Sequence, residues 1–366
     1  MIFIISGLRS GGAEKMLLKL CSSLEPKSRP ELVICLTSTD NSSIAKDLNK
    51  LVEVYSLELD KTILNFVRVF KVLRKCRNKN IVSWMYHADL LSSFIWFLNF
   101  GKNNVFWNIR NGKLPPFRQK LKLNLIVRIL IALSYLIPHK IICCSKVSIL
   151  EHARIGYCKN KFVLIPNMID LHLGIQRPYL RSYTETKKYI ISLVARFDIQ
   201  KNIEQAIIAV NHVKSKMYNV ELWLIGDGLS EENKQLHALL SKHDKYKCVK
   251  LLGFRKNLKT LYENTDILFL PSIYGEGFPN VLLEGLQLGK CALISKHGDG
   301  KDLYSHSDFI LNELDGLSMG EKLIKLINTI NNDKQKIESR INSMQRQLDR
   351  FKPLQISKEY MDCFKY

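Results

Sequence analysis

Short apolar runs alternate with longer amphipathic stretches along this chain. In the first half, residues 2–6, 32–36, 52–57, 81–85, 105–111, 140–145 and 162–166 read as strands, most of them buried. In the second half the same reading covers 189–194, 220–225, 249–252, 267–271 and 291–295. Between them lie helical patterns, such as a basic amphipathic stretch at 63–77 and a helix from Asn280 that Gly289 stops. Strands that alternate with helices in both halves predict two parallel-sheet α/β domains. A chain of 366 residues also exceeds what one hydrophobic core usually serves. The polar stretch 176–188, with Pro178 and no periodicity, reads as the linker. This predicts an N-terminal domain over 1–175 and a C-terminal domain over 189–352. Residues 353–366 are expected to form a terminal helix that packs back on the N-terminal domain. Ser318 and Glu321 have capping-box spacing and predict a helix start there.

Composition narrows the partners. Hydrophobic residues at 46% and charged residues at 24% describe a globular chain. Nine cysteines lack metal-ligand or framework spacing, which predicts buried thiols in a reducing cytoplasm. Residues 2–6 have no basic segment before them, so no secretory leader is expected, and no run reaches the roughly 18 apolar residues of a membrane span. The net charge is +21, and residues 101–150 carry nine Lys or Arg and no Asp or Glu. A basic first half suits nucleic acid, an anionic membrane or a phosphate-bearing substrate. No helix-turn-helix, zinc-finger or RNP-type motif accompanies the charge, so no nucleic-acid partner is expected. Residues 117–137 interleave Arg118, Lys120, Lys122 and Arg128 with leucines and isoleucines. Such a segment fits an interfacial helix with its cations on lipid headgroups, and equally a packed surface helix with a solvated stripe. The aromatic-rich stretch 90–100 favours the membrane.

The stretch Glu276-Gly-Phe-Pro-Asn-Val-Leu-Leu-Glu284 carries the most specific chemistry. One carboxylate falls in a loop after a strand and the other just inside a helix, at the sheet edge where open α/β folds bind ligands. Two acids so spaced can accept hydrogen bonds from the hydroxyls of one sugar-bearing ligand; the spacing also fits a capping acid and a solvated helix acid. Arg196 and Lys201 bracket another strand-to-helix turn, as a diphosphate clamp would, although such pairs are also simply solvated. Gly11-Gly12 allows a phosphate near a helix start, or only a tight turn. Gly226-Asp-Gly228 suits the nucleotide-facing edge of a sheet. His87, at a predicted strand end, is a catalytic candidate or a structural histidine.

With Pro271-Ser272 before it, the Glu276 to Glu284 stretch resembles the Glu-x7-Glu motif of retaining glycosyltransferases of family 4. Arg196-x4-Lys201-Asn202 is similar to that family's Arg-x4-Lys-Asn motif, and Gly11-Gly12-Ala-Glu14 to its N-terminal loop. The resemblance spans nearly the whole chain. It implies the GT-B fold, two Rossmann-like parallel-sheet domains facing a cleft, a nucleotide-sugar donor, retention of configuration, and neither metal nor other cofactor. By resemblance Arg196 and Lys201 bind the donor diphosphate, Glu276 meets the donor sugar and Glu284 the ribose. The same resemblance implies that Gly11, Gly12, Gly226, Phe254, Gly277, Phe278, Pro279 and Asn280 line the donor site, that His87 lies on the acceptor side, and that the domains over 1–175 and 189–352 bind acceptor and nucleotide sugar respectively. Arg110 stands where relatives often place a histidine that touches the donor sugar or its phosphate. Two further departures are Met168, where the family has glycine, and Gly300-Lys301-Asp302 in place of its Gly-Gly-x-x-Glu loop. At Met168 the backbone either avoids positive φ or is strained.

The implied reaction moves a hexose or N-acetylhexosamine, UDP-linked, to a lipid-diphosphate-linked saccharide. It would run in the cytoplasm at the anionic inner membrane face, in polysaccharide or O-antigen-type assembly. The alternatives are a nucleotide-sugar epimerase or hydrolase, an inactive relative, and a non-catalytic nucleic-acid-binding protein.

Overall fold

The computed structural model describes every residue except 10, 41, 113–120, 185 and 366. The chain divides into two compact units, Met1–Met168 with Arg350–Tyr366, and Ile169–Asp349.

In the first unit, β1 (Ile2–Ile5), β2 (Leu32–Cys35), β3 (Glu53–Ser56), β4 (Ile81–Trp84), β5 (Val105–Ile109), β6 (Pro138–Cys143) and β7 (Phe162–Leu164) form one sheet. Its order is β3-β2-β1-β4-β5-β6-β7, and every pair is parallel. Strands with helices on both faces must be apolar on both, and all residues of β1, β2, β4 and β5 are buried. The two-residue period sends Phe3 and Ile5 to one core and Ile2 and Ile4 to the other. The helix Pro353–Cys363 closes the first of these cores with Ile356, Tyr360 and Phe364. Tyr360 stacks on Trp84 at 6.2 Å between ring centroids, and Phe364 lies 5.2 Å from Phe106.

The second unit orders its strands β10-β9-β8-β11-β12-β13, all parallel. They are β8 (Tyr189–Val194), β9 (Val220–Ile225), β10 (Val249–Gly253), β11 (Ile267–Leu270), β12 (Cys291–Ser295) and β13 (Ile310–Leu311). From β8 the chain winds outward to β10, then returns to β11 and winds the other way. The winding therefore reverses between β8 and β11, as it does between β1 and β4 in the first sheet. Crevices outside the carboxyl ends of such strand pairs are where doubly wound sheets bind ligands.

Several details differ from the sequence reading. Residues 176–181 are fastened to the second unit: Gln176 N–H donates to Gln287 O at 2.7 Å, Leu180 N–H to Glu338 at 2.9 Å, and Arg181 pairs with Asp266. His87 sits in the first turn of the helix Tyr86–Leu98, not at a strand end. The helix expected at Ser318 starts at Gly316, because the Asp315 carboxylate accepts from Ser318 N–H at 2.9 Å and caps it three residues earlier. The helix expected within 117–137 runs Leu121–Ser134, and Pro138 opens β6; residues 117–120 of that expected segment lie outside the described residues. Met168 avoids positive φ and is buried, so its replacement of glycine costs no backbone strain. Among the described residues no helix is long and apolar enough to cross a membrane.

Candidate functional site

The reversal between β8 and β11 brings two loops together. After β8, the Asp198 carboxylate accepts from Gln200 N–H at 3.0 Å and starts a short turn, Ile199–Lys201. Asn202 ends it in the left-handed region, φ 57°, and anchors its side chain on Leu314 O at 2.9 Å. After β11, Ile273 N–H donates to Gln200 O at 2.9 Å and fastens the second loop to the first. The Lys201 ammonium thereby forms an ion pair with Glu276 Oε1, and the Ser272 hydroxyl donates to the same oxygen at 2.6 Å. Glu276 is buried and Lys201 nearly so. Arg196, on the same loop as Lys201, is exposed and makes no hydrogen bond or ion pair among the described residues. The site thus holds a compensated pair and, on the next turn of chain, an uncompensated guanidinium able to fork onto a phosphate.

Glu284 is buried in the helix Asn280–Gln287, where its Oε2 accepts from Tyr262 Oη–H at 2.7 Å. Burial, reinforced by the Glu284 carboxylate, pushes the Tyr262 phenol well above its usual range, so it stays a donor at any working pH. Oε1 receives no hydrogen bond from the protein among the described residues. The sequence reading did not single out Tyr262; it is one aromatic of an amphipathic helix, and only the fold aims its hydroxyl at Glu284.

The remaining predicted donor residues of this unit surround these loops. Gly226, after β9, has φ 140°, and a Cβ there would lie 1.8 Å from Ala195 O, so glycine alone lets that turn pass the β8 loop. Gly277 O accepts from Asp299 N–H at 3.0 Å, so the turn after β12 rests on the backbone of the Glu276 motif. Phe278 is buried, Pro279 stands at the N-cap, and Asn280 Oδ1 is buried with no hydrogen-bond partner among the described residues. Phe254, after β10, is 49% exposed.

Gly11, Gly12, Arg110 and His87 lie in the first unit. Gly11 is the N-cap of the helix Gly12–Ser23, and the Glu14 carboxylate fills the space a Cβ would take there. Arg110 is tied inward: Nη1 donates to Tyr360 Oη at 3.0 Å and Ile165 O at 3.3 Å, Nη2 to Asn167, and the guanidinium lies 5.8 Å from the Trp84 ring centroid. Its contacts in the structure are therefore with the first unit's core and terminal helix. His87 is exposed beside an apolar groove whose walls desolvate the imidazole and lower its pKa.

Residues 180–342 match the family described as Glycosyl transferases group 1. Over 181 residues the chain is 30% identical to the GalNAc-alpha-(1->4)-GalNAc-alpha-(1->3)-diNAcBac-PP-undecaprenol alpha-1,4-N-acetyl-D-galactosaminyltransferase of Campylobacter jejuni. That match covers 48% of this chain and 47% of the relative, so the chain spans about half of that protein's length. A putative glycosyltransferase, EpsF of Bacillus subtilis, is 32% identical over 145 residues, 36% of this chain and 35% of its own. The crystal structure of Anabaena Alr3699/HepE in complex with UDP-glucose superposes with a TM-score of 0.78, covering 99% of this chain and 98% of that one at 20% identity. This likeness shows the fold, two parallel-sheet α/β domains of GT-B type.

Proposed function

We propose that this chain is a retaining glycosyltransferase of family 4 that moves a hexose or N-acetylhexosamine from a UDP sugar to a lipid-diphosphate-linked saccharide. The observation that carries this reading is the Lys201–Glu276 pair at the β8/β11 reversal, with the unpaired Arg196 on the adjoining loop. As the glycosidic bond to the donor phosphate breaks, negative charge grows on the leaving diphosphate. Arg196 and Lys201 are the groups that stabilise it, and such preorganised charge is usually the largest catalytic term. Lys201 then stands between two anions, the diphosphate and Glu276, and Glu276, its Oε1 held by Lys201 and Ser272, orients donor-sugar hydroxyls through Oε2. Glu284, steadied by Tyr262, accepts from the ribose. With two cations on the leaving group, the reaction needs no metal, and chelation is expected to leave turnover unchanged.

The choice of donor and acceptor is supported by the Campylobacter jejuni relative, whose name describes N-acetylgalactosamine transfer onto an undecaprenol-diphosphate-linked glycan. A solved neighbour holds UDP-glucose. The first unit's charge suits an anionic bilayer, which would make the enzyme peripheral at the inner face of the cytoplasmic membrane, in O-antigen-type or related polysaccharide assembly. A thermal-shift panel of UDP sugars followed by turnover on any hit tests the reading. At least one UDP-hexose or UDP-N-acetylhexosamine should raise Tm, and the product linkage should keep the donor's anomeric configuration by NMR. A panel in which no nucleotide sugar shifts Tm would falsify it.

A further inference from the structure

Asn202 occupies a helix start without capping it. It is the N-cap of the helix Ile203–Ser215, where an asparagine ordinarily turns its side-chain oxygen onto the amides of the first turn. Asn233 does so at the start of Lys234–His243: its φ is −84°, and its Oδ1 accepts from Gln235 N–H at 3.1 Å and Leu236 N–H at 3.2 Å. Asn202 instead has φ 57° and ψ 39°, and among the described residues its side chain makes no bond to the first turn. That left-handed backbone disfavours most L-residues, and asparagine is one of the few that tolerate it. The amide reaches away from the helix, and Nδ2 donates to Leu314 O at 2.9 Å. The chain forgoes a helix cap here and makes one distant bond in its place.

Leu314 lies between β13 and the helix Gly316–Asn332, and that segment is held fast. Gly316 N–H donates to Gln205 Oε1 at 2.8 Å, and a Cβ on Gly316 would come within 2.6 Å of Ile208 Cβ, so the segment lies directly on the helix Ile203–Ser215. Leu314 O is therefore a fixed acceptor. One residue before Asn202 is Lys201, whose N–H donates to Asp198 O at 2.9 Å. Its backbone is thus pinned on both sides, by the Asp198 turn before it and by the Asn202 bond after it. Such pinning matters because a lysine ammonium rides on a flexible four-carbon stem. The Glu276 carboxylate it meets is fixed independently, by Ser272 and by the loop that Ile273 N–H fastens to Gln200 O. A misplacement of ~1 Å at a catalytic group can cost about 10²-fold in rate.

We propose that Asn202 is a positioning residue for Lys201, which it holds against Glu276 through the bond to Leu314 O. What Lys201 then does rests on the transferase reading, whereas its ion pair can be observed without turnover. Two measurements on the full chain test the assignment. Asn202→Gly keeps the left-handed backbone and loses the amide; Asn202→Asp keeps the shape and sets a carboxylate against Leu314 O. In protein carrying 15N-lysine, the Lys201 Nζ signal, assigned by its loss in Lys201→Ala, should be sharp in the parent and broadened in both variants, with Tm within a few degrees. With an accepted UDP sugar, Asn202→Gly should cost about tenfold in kcat in the parent and nothing further in Lys201→Ala, the mark of two residues acting as one unit. An unchanged Nζ signal, equal losses of kcat in both backgrounds, or a loss in Asn202→Gly that Asn202→Asp does not share would each overturn the proposal and leave Asn202 a fastener of Leu314 alone. A signal that depends on Asn202 in a protein that turns over no UDP sugar would keep the positioning and remove the transferase; turnover that needs Lys201 and ignores Asn202 would do the reverse.

Discussion

The two units share one winding pattern and carry opposite chemistry at the same edge. Each sheet reverses direction at an interior strand pair, β1/β4 in one and β8/β11 in the other. The first unit has 30 Lys and Arg against 12 Asp and Glu; the second has 25 against 22. The second edge carries a buried ion pair and a carboxylate held by a tyrosine, while the first carries an apolar groove under helices that are cationic outside. Their buried acids differ as well. Glu276 has an ammonium and a hydroxyl, whereas among the described residues Asp89 has only hydroxyl donation from Ser83 at 2.6 Å, and burial raises its pKa well above the usual range. A doubly wound sheet therefore fixes where a ligand can sit, and a few loop side chains decide what it is.

That contrast can be broken at several points. Lys201→Ala should produce the largest effect, a loss of about 10²–10³ in kcat with any accepted UDP sugar, the scale of one lost electrostatic donor. Near-normal turnover in steady-state assays would disconnect the ion pair from the chemistry. Next, replacing Lys71, Arg74 and Arg77 together by Gln should weaken flotation with anionic vesicles by about 1 kcal/mol per cation, and added salt should mimic the change in the parent. If neutral and anionic vesicles bind alike, the charge difference between units has no membrane role. Tyr262→Phe removes one hydrogen bond to a carboxylate, of about 1.5–3 kcal/mol, and should raise the donor Kd roughly tenfold or more by calorimetry. Its preference for UDP over the 2′-deoxy analogue should narrow, which a merely structural tyrosine would not cause.

Smaller effects belong to the first unit. Tyr360→Phe leaves Arg110 and Asn108 donors short of an acceptor, so Tm should fall by a few degrees while donor binding holds. Asp89→Asn should show a pH signature. A carboxyl with a raised folded pKa contributes stability fully below its unfolded value of about 4 and loses it as pH climbs toward the folded pKa. Asparagine has no such loss, so the variant's Tm relative to the parent should rise between pH 4 and pH 8. A flat difference would mean that Asp89 is ionised in the fold.

Much of this was legible in the sequence. Strands such as Ile267–Leu270 and Cys291–Ser295 are unbroken apolar runs, and Lys201 and Glu276 come with diagnostic neighbours. What escaped depends on contacts between distant residues. The helices Ser43–Asn49 and Lys234–His243 are short and largely polar, and β13 is two residues long. Nothing local marks Tyr262 as the partner of Glu284, 22 positions on, or Arg110 as the partner of Tyr360, 250 positions on. The stretch 176–181 looks like a linker because its fastenings are backbone groups and one arginine, which leave no hydrophobic period.

Residues 350–366 belong to the first unit, and this orders events during synthesis. Phe3, Trp84 and Phe106 are synthesised before the second unit, yet Tyr360 and Phe364, which cover them, follow it. The second unit, Ile169–Asp349, is contiguous and can close first. A nascent chain stopped after Asp349 should therefore resist protease in its second unit and be cut in its first, and a C-terminal truncation would disable the half of the protein farthest from it in sequence.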